Sequence, residues 1–553
     1  MAEPLRTAAI RAEPNVYDVD VRKVMGRQAA GSGFLRAAVA ARAGGTIYGY
    51  TPHADSARHF ASAVQGQDPL ARVVCLKPQL PHTLAEAGGV VYLADPMLSS
   101  AARLRLRAGM AHYALCGVTH TLAGASVLQQ LGELLTEPVA PWDALVCTST
   151  AAREIARRVI EAQADYLRWK LGPGVRPSMP QLPVIPLGVH VDDFAFGAQD
   201  RAAAREALGI DAGEVAAVYV GRLAHRVKAH PFPMFHGLQA ATERTGKRVA
   251  LVLCGKMPNE ATAQAFTTGA ALFAPDVRLV VVDGGEKGAT RQAYAGGDLF
   301  VSLSDGIQET FGLTPLEAMA AGLPVVVTDW NGYRDTVRHG VDGFRVATWA
   351  PAADDDNAAA RHEVEALSYD SYHGSLAAST SVDFAALAEA LTALIGSPDL
   401  RRTLGEAGRQ RARELFDWPI VFRQYQALWG EQNARRLAAL ARPETVAALA
   451  AGPKAAASRL DPFHTFSHYP TDRITPDTRV RLAPGVTLDT YRLRQGHALF
   501  RGAIIPESRM AAMINALQDQ ERTVRDLTAI APTATLTVVG VLAKMGLIEL
   551  RQP

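Results

Sequence analysis

The chain has 553 residues, 48% hydrophobic and 20% charged, with a formal net charge of +2. That is ordinary globular composition, and the length calls for roughly three or four domains instead of a single core. The near-neutral charge gives no support to a nucleic-acid partner or an anionic-membrane binder, and no apolar run approaches the ~20 residues that span a bilayer.

The N-terminal stretch MAEPLRTAAIRAEP lacks the apolar core of a signal peptide. Four widely spaced cysteines, Cys75, Cys116, Cys147 and Cys254, lie mostly in apolar runs. They read as buried thiols of a reducing, cytoplasmic compartment and not as a disulfide framework or a zinc site.

Short apolar runs then alternate with helical patterns. The first set of predicted strands is TIYGYTP (46–52), ARVVCLKP (71–78), VVYLAD (90–95), DALVCTS (143–149) and LPVIPLGV (182–189). The second is VAAVYVG (215–221), RVALVLCG (248–255), VRLVVVDGG (277–285), DLFVSLS (298–304) and PVVVTD (324–329). Apolar on both faces, they suit buried parallel strands, and segment 150–164 between them carries helical spacing. The alternation predicts two doubly wound α/β domains, residues 1–193 and 194–440, with the boundary near Asp192 and Asp193. Residues 350–383 break the rhythm and read as a polar insertion or long loop, in which Asp354, Asp355 and Asp356 are solvated. Helical character returns from Phe384 to Leu440. Residues 441–474 read as a linker, with His464 and His468 more suited to packing than to a metal. Residues 475–553 read as short strands (TRVRL, TYRLRQ, ALFRGAII), three short helices and a closing strand GLIEL, a winged-helix-like α+β domain. Its candidate recognition helix, 533–545, holds only Lys544, which argues against DNA binding.

The chemistry concentrates in QETFGLTPLEAMAAGLPVV (308–326). Thr314, Pro315 and Glu317 have the spacing of an N-cap, a first helical position and a third, so a helix is predicted over 315–321, stopped by Gly322 and Pro324. Its start falls at the carboxyl end of a strand, where open α/β sheets bind ligands, and the N–H groups of Leu313 and Thr314 form an anion site there. Arg222 and Lys228, in GRLAHRVK, follow the first strand of the same sheet. An Arg fork, a Lys point charge and a helix N-terminus around one crevice suit a diphosphate. Glu317 fits either a capping box or a ribose hydroxyl. Glu309 fits either a solvated loop or a sugar.

Residues 215–346, through VGRLAHRVKAHP, AYAGGDLFVSLSDGIQETFGLTPLEAMAAGLPVVVTD and GYRDTVRHGVDGF, resemble the donor half of the nucleotide-sugar glycosyltransferase family 4, which has the GT-B fold. The likeness extends over about 20–440 through GRQAAGSGFLRA, CGVTHTLAG, DALVCTSTAAREIARRVIE, LPVIPLGVHVDDF and FDWPIVFRQYQALWG. It implies two Rossmann-like domains facing a cleft and a retaining transfer of a sugar from a nucleotide-diphosphate donor, with no metal and no other cofactor. The acceptor would be a glycan, a lipid-linked glycan or a protein, as in polysaccharide biosynthesis. It further implies that Arg222 and Lys228 neutralise the diphosphate, that Leu313 and Thr314 bind phosphate through N–H groups, and that Gly33 lies in a glycine-rich loop facing the donor phosphate. Glu317 would bind ribose, Glu309 the donor sugar, and His120 would lie near sugar and acceptor. Base contacts fall to loops 254–258 and 283–287. Two departures from the family stand out. Arg222 and Lys228 are six apart where five is common, and the glycine loop is glycine-poor. The Asp18-Val19-Asp20 run has the DxD form of a different glycosyltransferase fold and reads as an exposed turn or strand start. Peripheral membrane association, and a protein partner or oligomer through 475–553, stay open. A sugar-nucleotide epimerase, a glycan phosphorylase and a non-catalytic scaffold are the competing readings.

Overall fold

The computed structural model describes residues 7–12, 16–17, 26–42, 45–77, 83–84, 87–500 and 505–553. The Asp18–Asp20 run lies outside them. The chain divides into two compact units, Met1–Ala456 and Ala457–Pro553.

The first unit holds two sheets. Strands β1 (Ala9–Arg11), β2 (Thr46–Tyr50), β3 (Arg72–Leu76), β4 (Val90–Tyr92), β5 (Ala114–Val118) and β6 (Ala144–Val146) form one, in the order β3-β2-β1-β4-β5-β6. Strands β7 (Val215–Val220), β8 (Val249–Gly255), β9 (Val277–Asp283), β10 (Leu299–Ser302), β11 (Val325–Thr328) and β12 (Gly343–Val346) form the other, in the order β12-β11-β10-β7-β8-β9. All pairings are parallel. The two orders are the same winding seen from opposite edges. Each reverses beside its first strand, and the reversal opens a crevice at the carboxyl ends. The expected pair of doubly wound lobes across a cleft is therefore present.

Burial explains why these runs became strands. Every residue of β5, β7, β10 and β11 is buried, as helices on both faces of a parallel sheet require. Helices fill most of the crossovers among the described residues; Thr150–Leu171 starts where Ser149 Oγ accepts the Ala152 N–H at 3.0 Å. The long helix Trp418–Leu440 leaves the second lobe and packs on the first. Its Trp418, Phe422, Tyr425 and Trp429 surround Phe34, which stacks on Tyr92 at 4.2 Å.

Some expectations need correction. LPVIPLGV makes only isolated bridges, at Val184 and Val189, because Pro183 and Pro186 carry no N–H to donate. β1, β5 and β12 are strands that the pattern does not single out; β1 is three residues long and β5 is built from ALCGV, poor in β-branched side chains. Segment 350–383 is not a long loop. It carries helices Ala358–Glu363 and Tyr369–Ala378, closed by the antiparallel pair β13 (Thr348–Trp349) and β14 (Ser381–Val382). Asp354 there accepts the Ala358 and Ala359 N–H groups at 2.9 and 3.0 Å, the work of a helix cap.

The second unit has its own core, including Val480, Tyr491, Met510, Met513, Leu527, Leu542 and Ile548. Strands β15 (Arg479–Leu482), β16 (Arg522–Thr523) and β17 (Ile548–Arg551) form an antiparallel sheet in the order β16-β15-β17. Helices Glu507–Leu517, Val524–Ile530 and Leu536–Lys544 complete the α+β domain. TYRLRQ, expected as a strand, lies in helix Leu488–Gly496, where Thr487 caps Thr490 and overrides the alternating pattern. Of ALFRGAII, Ala498–Phe500 form a short 3-10 turn, and residues 501–504 lie outside the described residues. No helix among the described residues is long and apolar enough to cross a membrane.

Candidate functional site

The crevice of the second lobe lies between the ends of β7 and β10. Two loops fill it: residues 221–230 after β7 and 303–312 after β10. Gly255 and Gly221 let the ends of β8 and β7 approach closely, since a Cβ at Gly255 would collide with the Gly221 carbonyl. The loops marked for base contacts adjoin here, with the Gly284 N–H donating to the Gly255 carbonyl at 3.3 Å.

Lys228 and Glu309 meet directly. Lys228 Nζ donates to Glu309 Oε2 at 3.1 Å, with side chains 28% and 19% exposed. Burial pushes the Glu309 carboxyl up, but the Lys228 ammonium and the Phe311 and Thr310 N–H groups outweigh it and hold the group below its ordinary value. Glu309 is thus an ionised carboxylate in a half-buried place. The six-residue spacing from Arg222 does not displace Lys228 from the crevice.

Arg222 is exposed and donates through its Nη2 to Gln308 Oε1 at 3.0 Å. Gln308 in turn donates through Nε2 to the Tyr369 hydroxyl at 3.1 Å. Sequence reasoning gave Gln308 no part in the site, and Tyr369 lies in the 350–383 insertion, far away in sequence.

The helix runs Leu313–Ala320, two residues earlier than expected, and its N-cap is Gly312 with φ of 91° and no side-chain cap. Only glycine fits there, because a Cβ would strike the Tyr333 ring. Thr314 is therefore inside the helix and is not its N-cap, and Glu317, a further turn in, forms no capping box. The first-turn N–H groups of Leu313 and Thr314 have no partner within the helix. At the other end the expected stop holds: Gly322 has φ of 79°, and the Leu323 N–H reaches the Ala318 carbonyl at 2.9 Å. Glu317 Oε2 accepts from the Tyr294 hydroxyl at 2.8 Å. Burial pushes its carboxyl above the ordinary value, against the lowering effect of that bond.

The first lobe contributes His120, in the loop after β5. Its Nε2 lies 2.7 Å from the Ala94 carbonyl. A carbonyl only accepts, so Nε2 carries the proton. Burial lowers the basicity of the ring, which leaves it neutral with a lone pair on Nδ1. The loop reaches the second lobe: Thr310 Oγ1 donates to the His120 carbonyl at 3.0 Å, and Ser149 Oγ donates to the Thr310 carbonyl at 2.6 Å. Thr310 follows Glu309, so the clasp between the lobes sits beside the carboxylate.

Gly33 is not brought into this group. It lies inside helix Gly26–Arg42, not in a loop, and a Cβ there would collide with Trp418 Nε1. It is a packing glycine against the crossover helix. His464 and His468 share no helix, since Pro462–Thr465 ends between them. Among the described residues no group of three or more His, Cys, Asp and Glu is placed to hold a metal ion.

Parts of the chain are similar to known proteins. Residues 214–367, which include Arg222, Lys228, Glu309 and Glu317, match the family described as "Glycosyl transferases group 1". The chain is 34% identical over 184 residues to a D-inositol 3-phosphate glycosyltransferase of Actinosynnema mirum, covering 31% of this chain and 42% of that protein. It is 28% identical over 377 residues to an alpha-maltose-1-phosphate synthase of Mycobacterium tuberculosis, covering 61% and 86%. The match thus spans about two fifths of the inositol-phosphate relative and most of the maltose-phosphate one. A crystal structure of Anabaena Alr3699/HepE in complex with UDP and glucose aligns at a TM-score of 0.46 and 16% identity, over 78% of this chain and 99% of that one. The chain is a GT-B protein related to the group 1 glycosyl transferases.

Proposed function

We propose that this protein is a retaining glycosyltransferase that moves a sugar from a nucleotide-diphosphate donor to a glycan, a lipid-linked glycan or a protein. The observation that carries the reading is the convergence, at one switch-point crevice, of Arg222, the Lys228–Glu309 pair and the N-terminus of Leu313–Ala320.

In this reading the diphosphate lies against the Leu313 and Thr314 N–H groups, with Arg222 and Lys228 spreading the charge that develops as the leaving group departs. Lys228 turns from Glu309 towards phosphate, and Glu309 accepts hydroxyls of the donor sugar. Glu317 takes a ribose hydroxyl in exchange for, or alongside, Tyr294. The neutral His120 offers Nδ1 as an acceptor at the sugar. The bond from the anomeric carbon to the diphosphate oxygen breaks, the bond to the acceptor oxygen forms on the same face, and the acceptor proton passes to the departing phosphate. The unit Ala457–Pro553 serves acceptor or partner docking.

The test is a thermal-shift screen with UDP-, ADP-, GDP- and dTDP-sugars, followed by nuclear magnetic resonance of products made with candidate acceptors. Stabilisation by one donor class and an unchanged anomeric configuration are expected. A rearranged sugar released without acceptor, or phosphate-dependent cleavage of a glycan, would replace this reading by an epimerase or a phosphorylase. Deletion of 455–553 with no effect on acceptor binding or oligomeric state would remove the docking role.

A further inference from the structure

The insertion helix Tyr369–Ala378 reaches the crevice, and we propose that Tyr369 is a positioning residue that fixes Arg222 through Gln308. The inference rests on the proposed diphosphate site and adds to it the element that orients its outermost cation.

The bonding pattern has a single sense. Arginine only donates, so the Gln308 oxygen must face Arg222, which leaves its amide nitrogen to face Tyr369. Arg222 therefore sets the sense of the Gln308 amide, and the Tyr369 hydroxyl, which accepts in this sense, holds the amide there with a second bond. Without that second bond the amide turns more freely, and the exposed arginine is held less firmly over the crevice.

Tyr369 packs on its own helix, and that helix is seated on the site loop. His373, 1% exposed, stands edge-on to its ring with centroids 3.9 Å apart. Among the described residues neither His373 ring nitrogen has a hydrogen-bond partner, so this imidazole acts as a packing group. Gly374, one residue on, leaves room for the Arg226 stem: a Cβ there would lie 3.2 Å from the Arg226 Cβ. This seats the insertion helix on the loop that carries Arg222 and Lys228. On the opposite side, Tyr369 Cε2 lies 4.0 Å from where a Cβ of Gly124 would be, in the first-lobe loop that also carries His120. The ring thus stands beside the first-lobe loop as well as against Gln308 of the second lobe. An arginine fixed in advance loses less side-chain freedom when the anion binds, and affinity rises accordingly.

The test is calorimetric titration of UDP, ADP and GDP into the full chain, then into Tyr369→Phe, Arg222→Ala and the double variant with the nucleotide that binds best. Tyr369→Phe keeps the ring and removes only the hydroxyl. A loss of about three- to tenfold in affinity is expected, the size of one hydrogen bond. In the Arg222→Ala background the same change should have no further effect, because its action passes through the guanidinium. Gln308→Leu, which cuts the middle of the chain from a loop position, should reproduce both results and serves if Tyr369→Phe folds poorly. Unchanged affinity in Tyr369→Phe, or an equal loss with Arg222 absent, overturns the proposal while the diphosphate site stands, provided that Arg222→Ala alone weakens binding. Absence of binding by the unaltered protein overturns both.

Discussion

Glu309 and Lys228 form an ion pair in the crevice, and the proposed function assigns them separate parts. Glu309→Ala is expected to abolish transfer while nucleoside diphosphate affinity falls only modestly, because the proposal sets the carboxylate at the sugar and not at the phosphates. Turnover near normal in that variant contradicts its role. Asp305, four residues earlier, behaves differently. Its Oδ2 accepts the His230 N–H at 3.0 Å, and its Oδ1 is buried without a hydrogen-bond partner among the described residues. Burial pushes the carboxyl from an ordinary 3.8 up to about 7, against the hydrogen bonds that lower it. The folded protein therefore keeps a proton that the unfolded chain releases near pH 4, and this contribution is full below that pH and is lost as pH rises through 7. Asp305→Asn keeps an acceptor and never ionises, so its melting temperature should exceed the parent's at pH 8 and converge with it near pH 4. Arg222, Lys228 and Glu309 were legible because spacing and residue type at strand ends carry chemical meaning. Gln308, Tyr369 and Asp305 were not, since their importance comes from contacts between segments far apart in sequence.

At the scale of elements, the helix Leu313–Ala320 shows what local rules determine and where tertiary contact prevails. Its stop at Gly322 follows from glycine in the left-handed region and from the proline after it. Its start does not follow from Thr314-Pro315, because packing of the chain against Tyr333 admits only glycine at 312 and begins the helix early. Gly312→Ala should therefore destabilise the protein by about 1–3 kcal/mol and weaken nucleotide binding together with it. Thermal unfolding and titration of the same sample check this. A stable variant with full affinity contradicts the assignment of that helix start as the phosphate end. The insertion was misread because small polar residues describe exposed helices as well as loops, and only its caps at Ser368 and Asp354 distinguish them.

At the scale of the molecule, the doubly wound lobes were legible from continuous apolar strands, and their strand orders place one switch point against each half of the cleft. Strands β1, β5 and β12 and the winding order were not, since short or β-branch-poor runs and pairing partners leave little local signal. The unit Ala457–Pro553 has a separate core, so deletion of it should leave nucleoside diphosphate affinity of the remaining chain unchanged. A loss of that affinity, with the truncated chain still folded by circular dichroism, contradicts a donor site confined to the second lobe. The central claim is that this lobe holds a diphosphate between Arg222, Lys228 and a helix N-terminus. Titration of UDP, ADP and GDP into the parent protein and Arg222→Ala tests it most directly: at least one should bind the parent, with about tenfold or greater loss in the variant. Equal affinities in the two proteins, or no binding by the parent, would contradict it.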